Sequence, residues 1–178
     1  MKANLINEGA KYGLICGLSA VLLMYGSWAV DVTTFTNVMF ASTFIPYMII
    51  ILLLGGFAVR KQNGGYLSFQ EGLKFNFLAY AIAALIIAVA TYVLYNLIDE
   101  TLTEKSAQIG LEKTRAMMEK FGASEEDIEK QVAASAESMK KTGLKEIVMG
   151  TGLGLIWDFV KSLLLTLVIR KEEKFEDQ

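Results

Sequence analysis

The sequence predicts an all-α integral membrane protein with four transmembrane helices and an extracytoplasmic αα-hairpin between the third and the fourth. Three observations predict this. First, hydrophobic residues make up 53% of the 178 residues and gather into four blocks, at about 12–30, 38–59, 75–97 and 147–169. Each block has roughly the 20 residues that a helix rising 1.5 Å per residue needs to cross about 30 Å of hydrocarbon. Second, the 17 Lys and Arg and the 19 Asp and Glu lie almost entirely between these blocks. Third, the stretch 99–146 is polar yet periodic, which separates a folded insert from a disordered linker. The chain reads as a single membrane domain, 1–178, carrying that insert.

The first block begins at Tyr12 and carries Gly9, Gly13 and Gly17, small residues four apart. That spacing lets two helices approach closely in lipid. A cleaved signal peptide is the rival reading, since Ser27-Trp28-Ala29 loosely imitates a cleavage site. The length of the block and Glu8 in the would-be basic region argue against it. The stretch 31–37 then reads as a short connection without Lys or Arg. Pro46, the only proline, sits inside the second block, where it is expected to kink the helix.

Asn63-Gly64-Gly65-Tyr66 reads as a turn. Ser68 and Glu71 follow as a capping box, in which each side chain satisfies a backbone N–H of the other's residue. The third helix is therefore expected to start there and to run to Ile98. Trp28 and Tyr66 fall where interfacial aromatic anchors are expected.

Within 99–146, a helix from about Thr101 to Phe121 is expected to end at Gly122 in a left-handed cap. Ser124 is a candidate N-cap with Asp127 three residues on. The helix it opens is expected to reach about Lys141 and stop near Gly143. Ile128, Val132, Ala136 and Met139 form its apolar stripe, and Ile109, Met117 and Phe121 form that of its neighbour. The two stripes are expected to face each other. The acids after Ser124 lack the alternating spacing and the glycine of an EF-hand loop.

The fourth block differs from the others. It holds Gly150 and Gly154, again four apart, and it places Asp158 and Lys161 near its centre. Intramolecular packing of spans one and four is the expected use of both sets, with homo-oligomerisation or a foreign partner as the alternative. The alternating Gly150, Gly152 and Gly154 have no preceding strand, so they make no nucleotide loop. Asp158 lies about 16 Å from either end of the block. An ionised group at that depth costs at least about 2.5–3.5 kcal/mol, so it should face the protein and be paired. Lys161, three residues on, shares its helix face. Asp158 and Lys161 are thus the candidate intramembrane polar site. The competing reading is purely architectural: an internal ion pair, or a carboxyl hydrogen-bonded to Asn76, Tyr80, Thr91, Tyr92 or Asn96.

Basic residues cluster at Lys2 and Lys11, at Arg60, Lys61 and Lys74, and at Arg170, Lys171 and Lys174. By the positive-inside rule these regions are cytoplasmic, giving N-in and C-in. The insert holds eight Lys and Arg against eleven Asp and Glu. Long loops weigh less in that rule, so the orientation stands.

The chain has no histidine and one cysteine, Cys16. Ser-His-Asp and Cys-His catalysis, His/Cys zinc sites, histidine-ligated haem and an internal disulfide are thereby excluded within it. No cofactor or metal is expected. A net charge of −2 gives no basic excess for nucleic acid.

Several motifs together carry a resemblance: Tyr12-Gly13 opening the first span, the run from Gly64 to Gly72 that contains Gly65-Tyr66-Leu67-Ser68-Phe69, and Tyr95-Asn96-Leu97-Ile98-Asp99 closing the third span. With the Met/Glu/Lys-rich insert and the glycine-containing last span, the whole chain resembles the four-span Bacteroidetes family catalogued as domain of unknown function four-one-nine-nine. The resemblance implies a membrane location and four helices. It implies no activity, ligand or catalytic residue.

The leading expectation is a non-enzymatic protein of the bacterial inner membrane, a four-helix bundle serving structure, assembly or partner binding. Its partners would be the lipid bilayer and a second copy or another membrane protein. The alternative is a small transporter or ion-coupled permease using Asp158 and Lys161. A lipid-binding protein is the third reading.

Overall fold

The structure is a computed structural model that describes residues 3–138 and 143–172. It contains helices α1 (Leu5–Trp28), α2 (Val32–Phe44), α3 (Tyr47–Gln62), α4 (Phe69–Val93), α5 (Leu102–Lys120), α6 (Glu125–Ser138) and α7 (Leu144–Ile169). A π-helical turn, Leu94–Ile98, extends α4. Three helices (α1, α4 with its extension, and α7) are long and apolar enough to cross a membrane. The number rises to four if α2 and α3 form one broken span, bent by 50°.

The kink expected at Pro46 within 38–59 is a full break, with one helix ending at Phe44 and the next starting at Tyr47. Proline lacks an N–H and its ring collides with the carbonyl four residues back. It also pushes its predecessor out of the helical region, and Ile45 is extended at φ −90° and ψ 112°. A second correction concerns 31–37. Asp31 accepts hydrogen bonds from the Thr34 N–H at 2.7 Å and the Thr34 hydroxyl at 2.7 Å. It is an N-cap, so α2 begins at Val32 and the expected connection is mostly helix.

The central seam is α1 against α4, running parallel. A Cβ at Gly9 would meet Leu78, and one at Gly17 would meet Ile86 at 2.8 Å. At Gly13 it would lie 2.7 Å from the Ala79 carbonyl oxygen. These glycines therefore pack span one onto span three, and the expected pairing of spans one and four is not found. Gly150 and Gly154 are a further correction: nothing lies within 4 Å of a Cβ added at either. The other close approaches use glycines that the i,i+4 spacing did not single out. Gly55 faces the Tyr12 ring, Gly56 faces Ile169, and Gly72 faces Thr166. Helix α7 lies antiparallel to α4, with Phe77 and Phe159 edge-to-face at 5.6 Å.

The two ends of the bundle are tied differently. At one, the Arg60 guanidinium donates to the Ile169 carbonyl at 3.2 Å, a cation on the negative end of α7. Leu67 and Lys171 exchange backbone hydrogen bonds of 2.8 and 2.9 Å. The Ser68–Glu71 capping box starts α4 here, with the Ser68 N–H on the Glu71 carboxylate at 2.9 Å and the Glu71 N–H on the Ser68 hydroxyl at 3.3 Å. At the other end Leu102, Leu94 and Phe35 are fully or almost fully buried together, so the insert is rooted in the bundle.

Helices α5 and α6 fold back on each other, linked by Arg115 and Glu125 at 3.1 Å. Gly122 has φ +75°, and the Gly122 and Ala123 N–H groups return to the Glu119 and Met118 carbonyls. That is the doubly bonded helix end that a left-handed glycine permits. Ser124 accepts from the Asp127 N–H at 3.2 Å and so starts α6. Ile128 is buried, whereas Phe121 is 84% exposed at the tip, because the chain turns there before its stripe meets α6. Met139 and Lys141, the expected end of that helix, and Lys174 lie outside the described residues.

Two predictions follow from this packing. Gly13→Val should lower the thermal midpoint in mild detergent by the equivalent of about 1–3 kcal/mol of overpacking. Gly150→Ala should stay within about 0.5 kcal/mol, as substitutions at open positions do. Equal tolerance at both would refute the assigned seam. The second prediction concerns Asp99, which accepts from the Thr101 hydroxyl at 2.7 Å and the Trp28 indole N–H at 3.3 Å. Its carboxyl is held below the usual carboxylate range, first by the Thr101 hydroxyl, with help from Trp28 and Lys105 against partial burial. A lowered folded pKa gives stability that is present above the unfolded value of about 3.9 and is lost as pH falls through the folded one. Trp28 fluorescence in a Trp157→Phe background should therefore shift on acidification below about pH 4. The same titration with Asp99→Asn should be flat.

Candidate functional site

After Lys145 and Glu146 in its first turn, helix α7 carries no charge until Asp158 and Lys161, one turn apart. The Lys161 ammonium lies 2.6 Å from the Asp158 carboxylate. It also sits 4.7 Å from the centre of the Tyr80 ring, within the range of a cation–π contact. The Asp158 side chain is 14% exposed and that of Lys161 38%. The pair is thus neither sealed in the core nor spread on the surface. Removing one member of a buried pair leaves an uncompensated charge and costs about 3–5 kcal/mol. The exposure of Lys161 puts this pair below that range.

A ladder of hydroxyls continues from the pair along one face of α7. The Ser162 hydroxyl donates to the Asp158 carbonyl at 2.7 Å, and the Thr166 hydroxyl to the Ser162 carbonyl at 2.6 Å. The Asn76 amide donates to the Thr166 hydroxyl at 3.1 Å. Serine and threonine can satisfy themselves this way inside a helix, so they are tolerated in an apolar setting. Sequence reasoning passed over Ser162 and Thr166, although Asp158, Ser162 and Thr166 recur every four residues. Of the proposed partners of Asp158, Tyr80 lies at the pair and Asn76 is taken by Thr166. Thr91 reaches the Met24 sulfur at 3.8 Å, and the Asn96 amide donates to the Tyr92 carbonyl at 3.2 Å.

Two cavities open on the pair. One, of about 310 Å³, is lined by Pro46, Tyr47, Met48, Ile49, Tyr80 and Lys161 among others. The second, of about 300 Å³, includes Ala83, Ala84, Gly150, Gly154 and Asp158, and it shares Met48 and Tyr80 with the first. Gly150 and Gly154 therefore bare the α7 backbone along a cleft instead of sealing a helix contact. Tyr80 itself is 2% exposed, and its hydroxyl, fully enclosed, has no hydrogen-bond partner. A buried hydroxyl left unpaired costs about 1–3 kcal/mol, so such a group invites explanation.

The other candidates lie apart from this cleft. Ser68 and Glu71 form the capping box of α4. Gly9, Gly13 and Gly17 are fully used in the α1–α4 seam. Among the described residues no three His, Cys, Asp or Glu side chains converge as a metal would require.

No curated protein and no solved structure matches the chain. The family described as Protein of unknown function (DUF4199) matches residues 11–171, a stretch that contains the seam, the break at Pro46 and the Asp158–Lys161 pair. The chain belongs to that family.

Proposed function

We propose that this is a non-enzymatic protein of the bacterial inner membrane, with both termini cytoplasmic, that binds a small polar solute at mid-depth and passes it across as an ion-coupled permease. The observation that carries the reading is the position of the Asp158–Lys161 pair, open to two cavities beneath the break in the second span. A purely architectural pair would be enclosed by packed side chains. A broken helix facing a charged group at mid-depth is an arrangement that secondary transporters use for binding. Asp158 supplies a group able to carry a proton. The orientation is supported by the basic residues Arg60, Lys61 and Lys171, gathered at the end where Arg60 meets Ile169 and Leu67 meets Lys171. The α5–α6 hairpin then lies outside the cytoplasm.

Assembly or partner binding is the second reading. It is favoured by the exposed Phe121 at the hairpin tip and by Trp157, 70% exposed on α7 beside the open glycines. Cross-linking in native membranes that returned only single copies of the chain would sink it.

The permease reading is tested in proteoliposomes loaded with a pH-sensitive dye and challenged with a panel of small anionic, cationic and zwitterionic solutes. At least one class should move protons above the rate of protein-free liposomes. Asp158→Asn and Lys161→Met should each slow this about tenfold or more, the equivalent of losing one charge-assisted contact. Flux unchanged in both variants, or none with any solute, would overturn it.

A further inference from the structure

We infer that the rim where the end of α3 meets the end of α7 is a docking surface for the phosphate headgroup of an anionic phospholipid. The inference goes beyond the permease reading and stands without it. Three observations carry it: cations gathered from two distant stretches of sequence, too little negative charge beside them to neutralise them, and exposed apolar side chains on their membrane side.

The cations are Arg60 and Lys61, in the last turn of α3, and Arg170 and Lys171, just past the end of α7. The fold holds them together. Gly56 receives the Ile169 side chain, and the Arg60 guanidinium donates to the Ile169 carbonyl at 3.2 Å across 109 residues of sequence. That bond sets Arg60 beside Arg170. The backbone hydrogen bonds between Leu67 and Lys171, at 2.8 and 2.9 Å, fix the next residue.

Part of this charge is used inside the protein. Arg60 serves the carbonyl end of α7, with one of its five donors. The two helix ends together carry roughly one negative charge, and Glu172 adds another. Glu71, on α4 at the same end, accepts from the Ser68 N–H and hydroxyl at 2.9 Å each, and its charge answers the start of its own helix. Lys61, Arg170 and Lys171 are exposed, and among the described residues none of them enters an ion pair. Four cations against these terms leave the rim positive.

The apolar flank decides which anion fits. On α3, Leu54 and Phe57 are exposed, and the Phe57 ring lies 5.0 Å from the Arg60 guanidinium. On α7, Leu164, Leu167 and Val168 are exposed within two turns of Arg170. Tyr66 lies under the Lys171 ammonium at 5.7 Å, an aromatic ring at the depth where membrane interfaces collect them. An anion at this rim has hydrocarbon on one side and water on the other. That is the position of a lipid phosphate, and clustered Lys and Arg beside a span attract anionic headgroups. Arginine can grip the phosphate through two parallel hydrogen bonds.

The full chain in mild detergent is titrated with a short-chain phosphatidylglycerol, the matching phosphatidylcholine, inorganic phosphate and polyglutamate, reading apparent affinity from the rise in thermal midpoint. Phosphatidylglycerol should act saturably and more strongly than phosphatidylcholine, and its affinity should fall as salt rises. Lys61→Gln, Arg170→Gln and Lys171→Gln should each weaken it about fivefold, whereas Arg170→Lys should retain most of it. The triple variant Lys105→Gln, Lys113→Gln and Lys120→Gln removes equal charge from the hairpin and should leave the affinity unchanged. An equal response to phosphatidylcholine, or a phosphatidylglycerol response that survives loss of all three rim cations, overturns the inference. A full response to inorganic phosphate would make the rim a free-anion site, and tighter binding of polyglutamate would make it a surface for an acidic protein. Either result removes the lipid.

Discussion

The rest of the fold depends on the close parallel seam between α1 and α4. In lipid there is no hydrophobic gain in bringing helices together, since tails are as apolar as leucine. What remains is dispersion between well-matched surfaces, which falls off within an ångström of misfit. Gly9, Gly13 and Gly17 let the α1 backbone settle against Leu78, Ala79, Ile82 and Ile86. With α1 fixed, the Tyr12 ring meets Phe75 at 5.6 Å and presses on Gly55. That places α3, and Gly56 and Gly72 then receive α7 through Ile169 and Thr166. The close glycine approaches to α7 are all at the Arg60 end of the bundle. Toward the other end α7 separates from its neighbours, and the cleft lies in that opening.

Much of this was legible in the sequence. Block length and charge placement dictate spanning helices, because a lipid core leaves backbone groups no other way to be satisfied. The Ser68 box and the Gly122 cap were readable because capping is local: the partners lie within a few residues of each other. The family could be read from motifs such as Gly65-Tyr66-Leu67-Ser68-Phe69. The partner of each glycine stripe could not. A repeat every four residues shows that a face is smooth, but not which helix lies on it. So Gly9, Gly13 and Gly17 were matched with span four when they serve span three, and Gly150 and Gly154 were given a contact when they border a cleft. The extent of the break at Pro46 was also hidden. Proline lowers the cost of a kink, but the surrounding helices decide whether it becomes a kink or two helices at 50°.

At the site, the sequence pointed to Asp158 and Lys161 because charge in an apolar run is expensive wherever it occurs. Tyr80 it offered only as one of five candidate partners of Asp158. A tyrosine within a span is most simply a packing ring or a hydrogen bond to a nearby carbonyl, as Tyr25 is to Ala90 at 2.9 Å. Only the three-dimensional arrangement shows that the Tyr80 hydroxyl has no such carbonyl and that its ring underlies the Lys161 ammonium.

The break at Pro46 and the charged pair are best understood together. Each is costly alone. A break in a membrane helix frees backbone groups that lipid cannot satisfy, and an ion pair at mid-depth loses its hydration. Non-helical backbone at that depth persists where it is buried in protein or lines a cavity. The break and the pair border one cavity of about 310 Å³, so neither is packed directly against lipid on that side. The same opening has α7 standing off from α3 and α4, and Gly150 and Gly154, which line the cleft, put no side chain into the gap. Four features scattered over more than a hundred residues of sequence, namely Pro46, Tyr80, the glycines and the Asp158–Lys161 pair, thus become one construction. A simple packing role for the pair would account for its 2.6 Å contact, but not for the other three.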